Sequence, residues 1–443
     1  MASSRFKSPL KKLITKITED VLEIFDNDQD NSAVNLSEYS PGGHMPIAVN
    51  QTVGSDKQYE ILQKLGKGQF STVWFCKDKS NEQACFALKV TKGSTKYQRM
   101  AYNEVNILHH INNGDSSEVG YNRIILLHDY FIESSLNGEH VCMTFEVMGP
   151  TLFDLLKQND FCGFHQELVK MIVKQILEGL KYLHEKCNIV HADLKLDNIM
   201  VTVNRSHVSS IVTYAEWFNK LGVSLPKSSL SSFGLRKQNK SLTQRNKTGR
   251  RCGIKKKVFK KNHNAAFSSV NTNIAIEIKI ADFGNARYNR EGQHGTIQAI
   301  SYRAPEVIID AEYSFPVDLW SVGCLTFEFS TGMHLFYVKN SQNCPLAHYH
   351  LGLIWRVCNG IPKRIALRGK QSKEFFDEMT GELKKIKKES LIHWRISDCF
   401  VQKFNWKFID ARLLEGFLMK LIEPDPEARA TASEALEDEW LKS

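Results

Sequence analysis

The chain has 443 residues, 42% hydrophobic and 24% charged, the composition of a soluble globular protein of two or three domains. Its net charge of +9 is unevenly held: residues 204–273 carry fifteen Lys and Arg against one acid, Glu216, a surplus of +14 that leaves −5 for the remainder. The ten cysteines form no C-x-x-C pair and no zinc-like spacing with histidine, no apolar run can span a bilayer, and Met1-Ala2-Ser3-Ser4-Arg5 has no signal-type apolar core behind it. These features argue against a disulfide framework, a zinc module and a membrane protein, and for reduced thiols in a cytosolic or nuclear one.

Residues 1 to about 37 read as a tail, basic first (Lys7, Lys11, Lys12, Lys16) and then acidic, with one amphipathic face that amounts to a marginal helix. Ser37 to Val53, with Pro41-Gly42-Gly43, reads as an extended lead-in. Strands and turns begin at Tyr59. Leu65-Gly66-Lys67-Gly68-Gln69-Phe70-Ser71-Thr72-Val73 is a glycine-rich hairpin whose backbone can approach phosphates, with Phe70 at the tip and Val73 as a flat base. Ser71 stands where such loops commonly place a third glycine, and a plain hairpin turn explains G-x-G as well. Phe86-Ala87-Leu88-Lys89-Val90 is an apolar strand with one lysine, whose charge needs a partner. Glu104, in the helix-like run 101–108, is that candidate; on its own it would sit on a solvated helix face. His140 to Met148 reads as a buried strand ending at Gly149-Pro150, with backbone groups at Glu146 and Met148 placed for an adenine and Phe145 behind them. Helical periodicity follows at Leu152–Leu156 and Leu168–His184.

The chemistry concentrates in Ile189-Val190-His191-Ala192-Asp193-Leu194-Lys195-Leu196-Asp197-Asn198-Ile199-Met200. A phosphoryl group moving to a hydroxyl needs a carboxylate to orient the hydroxyl and take its proton, and Asp193 fits. Lys195 can meet the negative charge of the phosphoryl in flight, and Asn198 can give an amide oxygen to a metal ion. The flanking apolar residues predict short buried strands around a polar loop. Residues 204–273 read as a disordered spacer. Its clusters Arg250-Arg251 and Lys255-Lys256-Lys257 suit a nuclear address, RNA or an acidic partner, or are a solvated charge run. Strand-like sequence returns at Ile274 and reaches Asp282-Phe283-Gly284, where Asp282 can hold Mg²⁺ against phosphates and Gly284 permits the turn. Glu306 and Arg429 read as buried partners. Asp318, on the apolar run 317–324, reads as a brace for the loop around Asp193.

Six such motifs in this order resemble the eukaryotic protein kinases from Tyr59 to Leu441, the spacer apart. Gly42-Gly43, residues 68–74, 142–147, Gly284-Asn285-Ala286, residues 369–376 and the spacer itself are similar to the serine/arginine-protein kinase family. The resemblance implies an α+β bilobal kinase fold, a small β-rich N-lobe and a larger, mostly helical C-lobe, split by a basic spacer. It implies ATP and Mg²⁺ as cofactors and serine, or threonine, of arginine/serine-rich proteins such as splicing factors as acceptor. The corresponding segments are 1–58 (tail and lead-in), 59–148 (N-lobe), 149–203 and 274–443 (C-lobe), and 204–273 (spacer). Expected catalytic residues are Asp193, Lys195, Lys89 and Glu104; nucleotide-binding residues are 65–73, Ala87, Lys89, Glu146 and Met148; metal ligands are Asn198 and Asp282. A monomer of cytoplasm and nucleus is expected, without membrane attachment or specific nucleic-acid binding. Other readings are a dual-specificity Clk/DYRK-type kinase, against which the spacer argues, an inactive kinase-fold scaffold, against which the full residue set argues, and an RNA-binding protein, for which no module is visible.

Departures from the pattern are informative. Phe283 replaces the family's usual Leu. Carboxylates that line the family's substrate groove align with Met333, Tyr349 and Arg356, leaving Glu374, Asp377 and Glu378 as partial substitutes. One arginine near the acceptor aligns with Ile300, while Arg303 is kept. Many kinases place arginine before the catalytic Asp to receive a phosphate of the activation segment; here it is Ala192, so activity without that phosphate is expected.

Overall fold

The computed structural model describes residues 36–81, 83–203, 276–339, 345–386 and 388–443. The tail before residue 36 and the spacer assigned to 204–273 lie outside the described residues. The described chain divides into two compact units: 36–99 with 129–147 and Val203, and 100–128 with 148–202 and 276–443.

The first unit is built on strands rich in aromatic and β-branched residues. They are β1 (Thr52–Val53), β2 (Tyr59–Lys67), β3 (Ser71–Asp78), β4 (Cys85–Thr91), β5 (Leu127–Ser135) and β6 (Gly138–Glu146), and they form one sheet in the order β1-β2-β3-β4-β6-β5. Alternation along the strands puts Tyr59, Ile61, Trp74, Cys76, Leu88, Val90, Phe131 and Cys142 on one buried face. Tyr59 stacks on Phe131 at 5.6 Å and donates its hydroxyl to Asp129 at 3.1 Å.

The lead-in is part of this unit's fold. Met45 and Val53 enter the same core. Gly42 N–H donates to Asn137 at 2.7 Å, the Asn137 amide donates to the His44 carbonyl at 2.7 Å, and Gly93 N–H donates to the Gly43 carbonyl at 2.9 Å. A Cβ on Gly43 would lie 2.2 Å from the Glu38 carbonyl oxygen, which explains the glycine. The sequence boundary at residue 58 therefore separates residues that the core joins. Residues 100–128, inside the segment 59–148 in the sequence reading, group with the second unit.

The second unit is mostly helical: most of α1 (Thr95–Asn112), then α2 (Leu152–Gln158), α3 (Gln166–Lys181), α4 (Pro316–Thr331), α5 (Leu346–Cys358), α6 (Ile396–Phe404) and α7 (Phe408–Leu421). Two small sheets carry the loops: β7 (Met148–Thr151), β9 (Ile199–Thr202) and β10 (Ile278–Ile280) in the order β10-β9-β7, and β8 (Ile189–Val190) with β11 (Arg287–Tyr288). The helix α2 begins with a capping box, Thr151 and Asp154 each bonding the other's backbone N–H. All residues of α4 from Val317 to Thr331 are buried, so it is the central helix of this unit.

Arg429 fixes the base of α4. Its Nη1 and Nη2 donate to Glu306 Oε1 and Oε2 at 2.7 and 3.0 Å, Nη1 also to the Pro316 carbonyl at 2.9 Å, and Nε to the Glu423 carbonyl at 2.8 Å. The guanidinium lies 5.0 Å over the buried Trp320 ring. Removing one partner of a fully buried pair strands the other charge, at about 3–5 kcal/mol. Arg429→Ala should lower the denaturation free energy of the chain by that order, read by denaturant titration, and the double change Glu306→Leu/Arg429→Leu should recover part of it.

Candidate active site

Two short strands, a π-turn and the central helix of the second unit meet at one loop. The strands β8 and β9 flank residues 191–198, as their apolar residues predict. The polar loop between them is held from below by Asp318. Its Oδ2 accepts from the His191 N–H at 2.8 Å and its Oδ1 from the Ala192 N–H at 2.9 Å. His184, on the π-turn Tyr182–Lys186 that widens the end of α3, reaches the same Oδ2 with Nε2 at 3.0 Å. The Asp318 brace is thus formed as the sequence suggests, and His184 is an addition that no spacing rule revealed.

Asp318 holds its two N–H groups while the chain turns sharply. Ala192 has φ of 67°, in the left-handed region. A non-glycine residue there costs about 1–3 kcal/mol unless the surroundings enforce it. His191 stabilises the far side of the turn: its Nδ1 accepts from the Asp193 N–H at 3.3 Å and its Nε2 lies 3.1 Å from the Ala281 carbonyl, which places the ring proton on Nε2. The ring also meets the buried Phe283 edge-on at 5.0 Å, so this aromatic fills the site under the loop.

The result is an asymmetric Asp193. Its Oδ2 receives Lys195 Nζ at 2.7 Å, Asn198 Nδ2 at 3.4 Å and Asn285 Nδ2 at 3.4 Å, whereas its Oδ1 takes no donor among the described residues. Asn198 also donates to the Asp193 carbonyl at 2.8 Å, so its amide nitrogen is committed inward and its amide oxygen is left as an acceptor. Asn285 entered the sequence reading only through a resemblance; the structure gives it a contact with the carboxylate.

Asp282 follows β10 with φ of 64°. A Cβ added at Gly284 would lie 3.4 Å from Asp282 Oδ1 and 3.5 Å from Glu104 Oε2, so the glycine sits against both carboxylates. The helix α1 buries Glu104 (4% exposed) together with Val105, Ile107 and Leu108, rather than leaving it on a solvated face. An amide oxygen at Asn198 and a carboxylate at Asp282 are hard oxygen donors, the type a small divalent cation with retained waters and phosphate ligands accepts. The residues fit such an ion.

In the first unit, β2 and β3 form the glycine-rich hairpin, with Lys67 opposite Thr72 and Gly66 opposite Val73. Gly68 N–H donates to the Ser71 carbonyl at 2.8 Å, and Phe70 at the exposed tip leans on Tyr97 at 5.3 Å. Nothing lies within 4 Å of a Cβ added at Gly66, so no protein packing demands that glycine; open space over a backbone fits a phosphate-bearing ligand. Leu65 and Val73 are half-buried, Gln69 is exposed and Lys67 pairs with Glu38. Lys89, half-buried on β4, stands opposite Val73 and Met143, and Ala87 opposite Phe75 and Phe145. Glu146 ends β6 in this unit, and Met148 opens β7 in the other, paired with Thr202.

Two features went unseen in the sequence. Gln298, at φ of 63°, donates its N–H to the Ala192 carbonyl at 2.9 Å. Its side chain donates to the Val317 carbonyl at 2.7 Å and to Ser321 at 2.9 Å, and accepts from the Ala304 N–H at 3.0 Å. Beside it, Arg303 donates to the carbonyls of Ile297 and Gln298, each at 3.0 Å. The second feature is acidic. Burial raises the pKa of Asp197, with the Glu328 carboxylate adding to the effect. Glu328 is held by the Tyr302 hydroxyl at 2.5 Å and lies 3.1 Å from His334, whose pKa it raises. A motif search has no reason to join residues 197, 302, 328 and 334.

Of the three positions aligned with the family's groove carboxylates, Tyr349 and Arg356 lie on α5 and Met333 lies two residues beyond α4. Of their substitutes, Asp377 caps its own turn, accepting from the N–H groups of Met379 and Thr380, and Glu378 pairs with Lys373 at 3.4 Å.

The chain matches the family model described as protein kinase domain over residues 59–212 and 261–441. It is 32% identical over 420 residues to serine/threonine-protein kinase SRPK of Physarum polycephalum, covering 95% of this chain and 92% of that protein. It is 29% identical to protein kinase dsk1 of Schizosaccharomyces pombe, covering 92% and 85%, and 28% identical to human SRSF protein kinase 3, covering 93% and 91%.

The loop's shape depends on Asp318 accepting two adjacent N–H groups. In Asp318→Asn an amide NH₂ faces a donor, leaving a buried group unsatisfied at about 1–3 kcal/mol. The expected outcome is lower thermal stability and faster hydrogen exchange at the amides of His191 and Ala192, measured by exchange mass spectrometry or NMR.

Proposed function

Because the chain belongs to the protein kinase family and, within it, to the serine/arginine-protein kinases, we propose that it transfers the γ-phosphoryl group of ATP to serine, or threonine, of arginine/serine-rich proteins such as splicing factors. It is a serine/threonine protein kinase, a class that uses ATP with a divalent cation, here proposed to be Mg²⁺.

The observation that carries the mechanism is the asymmetry of Asp193. Three donors on Oδ2 fix the carboxylate, and Oδ1 is left to accept the hydrogen bond of the acceptor hydroxyl and take its proton. Lys195 holds a positive charge on the same side, where the transferring group is negative. Asn198 and Asp282 are the residues that would hold the cation. When bound, that ion neutralises charge on the phosphate oxygens. The hairpin 65–73 is assigned to the nucleotide phosphates, Lys89 to their charge, with Glu104 as its supporting acid. Ala87, Glu146 and Met148 are assigned to the base.

Preference for a serine near arginine is supported by Asp197, an exposed acid two residues from Lys195. The experiment is phosphorylation of a peptide library by the purified chain, mapped by mass spectrometry. Phosphoserine next to arginine is expected, and phosphotyrosine or no arginine bias overturns the substrate reading. Asp193→Ala and Lys89→Met should each lower turnover by about 10²–10³-fold without loss of fold, the scale of one lost charge-positioning group. Near-normal turnover in either would remove that residue's assigned role.

The segment after Asp282 has its own anchor. Gln298 ties the Ala192 carbonyl to α4 through its backbone N–H and its side-chain amide. Chain made in bacteria and treated with phosphatase should keep its rate, and Gln298→Ala should lose it; a large loss on phosphatase treatment alone would contradict this assignment.

A further inference from the structure

The lead-in touches the glycine-rich hairpin through residues that its own anchorage does not need. That anchorage is apolar: Met45 and Val53 lie in the core with Tyr59, Ile61 and Trp74. The residues just before them, Glu38 to Gly43, make polar contacts instead. These reach the hairpin at two places.

The first is β2, the strand that enters the hairpin. Glu38 pairs with Lys67, the last residue of β2, and the Tyr39 hydroxyl accepts from Lys64 Nζ at 3.3 Å. Lys64 also lies 5.4 Å over the Trp74 ring of β3. A fixed backbone presents the Glu38 side chain: its carbonyl accepts from the His44 N–H at 2.8 Å, and the Tyr39 ring meets His44 at 5.8 Å. The Lys67 ammonium holds the Glu38 carboxyl below its ordinary range, so the pair is ionised at neutral pH.

The second place is the tip. The Phe70 carbonyl accepts from the Lys92 N–H at 3.0 Å. The next two residues, Gly93 and Ser94, donate their N–H groups to the carbonyls of Gly43 and Gly42 at 2.9 and 3.1 Å. A Cβ on Gly93 would stand 2.5 Å from the Asn137 carbonyl oxygen, so only glycine lets the lead-in, residue 93 and the β5–β6 turn meet this closely. The lead-in therefore backs the segment on which the tip rests.

We propose that Glu38 is a positioning residue for the nucleotide: through Lys67 it holds the glycine-rich hairpin in place, and the lead-in thereby sets how firmly the hairpin grips phosphates. Both partners are about one-third exposed, and a pair of that kind adds little to the stability of a fold. The tip of a two-stranded hairpin opens at small cost, however, so a contact of the same size changes how often it is open. Met45 and Val53 secure the lead-in without Glu38, which leaves the carboxylate free for this task. The inference rests on the assignment of residues 65–73 to the nucleotide phosphates, and the motion of the hairpin is measured without nucleotide.

The test uses the full chain. Hydrogen exchange of the amides of residues 66–72 is read by mass spectrometry, and KM for ATP and kcat are measured with a short Ser-Arg acceptor peptide. In Glu38→Gln these amides should exchange about two- to fivefold faster at low salt, the scale of one exposed ion pair. KM for ATP should rise by a similar factor with kcat unchanged. Both effects should fade at about 1 M salt, where charges are screened within about 3 Å. Lys67→Gln should reproduce the faster exchange, and adding Glu38→Gln to it should change nothing further. The thermal midpoint of Glu38→Gln should equal that of the unaltered chain; a lowered midpoint with faster exchange throughout assigns Glu38 to stability and overturns the proposal. It is also overturned if exchange at 66–72 is unchanged in Glu38→Gln, if Glu38→Gln acts as strongly when Lys67 is already Gln, or if exchange quickens while KM for ATP stays the same. Absence of turnover by the unaltered chain counts against the kinase reading alone, because the exchange measurement does not depend on it.

Discussion

Asp318 is a fully buried carboxylate near the start of the central helix, and the catalytic loop takes its shape from it. An isolated charge there would cost several kcal/mol, and three donors from His184, His191 and Ala192 offset that cost. Because the donors come from two separate stretches of chain, the end of α3, the loop and the start of α4 are locked in one geometry. The left-handed turn at Ala192 is tolerable only under such a constraint, and Asp193 owes its orientation to that turn.

The same economy is seen on the opposite side of the loop. Gln298 uses its backbone N–H on Ala192 and its side-chain amide on α4, so a neutral residue performs the bracing that a charged pair could also perform. Arg429 and Glu306 secure the same end of α4, through the Pro316 carbonyl, by a bidentate pair with every guanidinium nitrogen engaged. Polar groups therefore meet the central helix where loops must be held, and apolar packing supplies the cohesion between those points.

Charge is distributed by task. Next to Asp193, Lys195 is balanced by the carboxylate it serves. On α5, Arg356 is turned toward the segment that follows, its Nε donating to the Ile392 carbonyl.

Much of this was legible in sequence. Asp193, Lys195, Asn198 and Asp282 could be assigned roles from residue type and spacing, since the loops that carry them are local and their chemistry requires those groups. The brace at Asp318 and the pair Glu306–Arg429 were legible for another reason: a charge in an apolar run must find a partner. The fold class followed from motifs in order. What the sequence left open depends on distances between residues far apart in the chain. Glu104 faces inward because α1 packs that side. Residues 37–53 belong to a core because Met45 and Val53 fit the sheet. Gln298, His184 and the cluster of Asp197, Tyr302, Glu328 and His334 acquire their meaning only when tertiary packing brings them together. Local chemistry is written in neighbouring residues and can be read there; which distant side chains share a space is decided by packing, which no local pattern encodes.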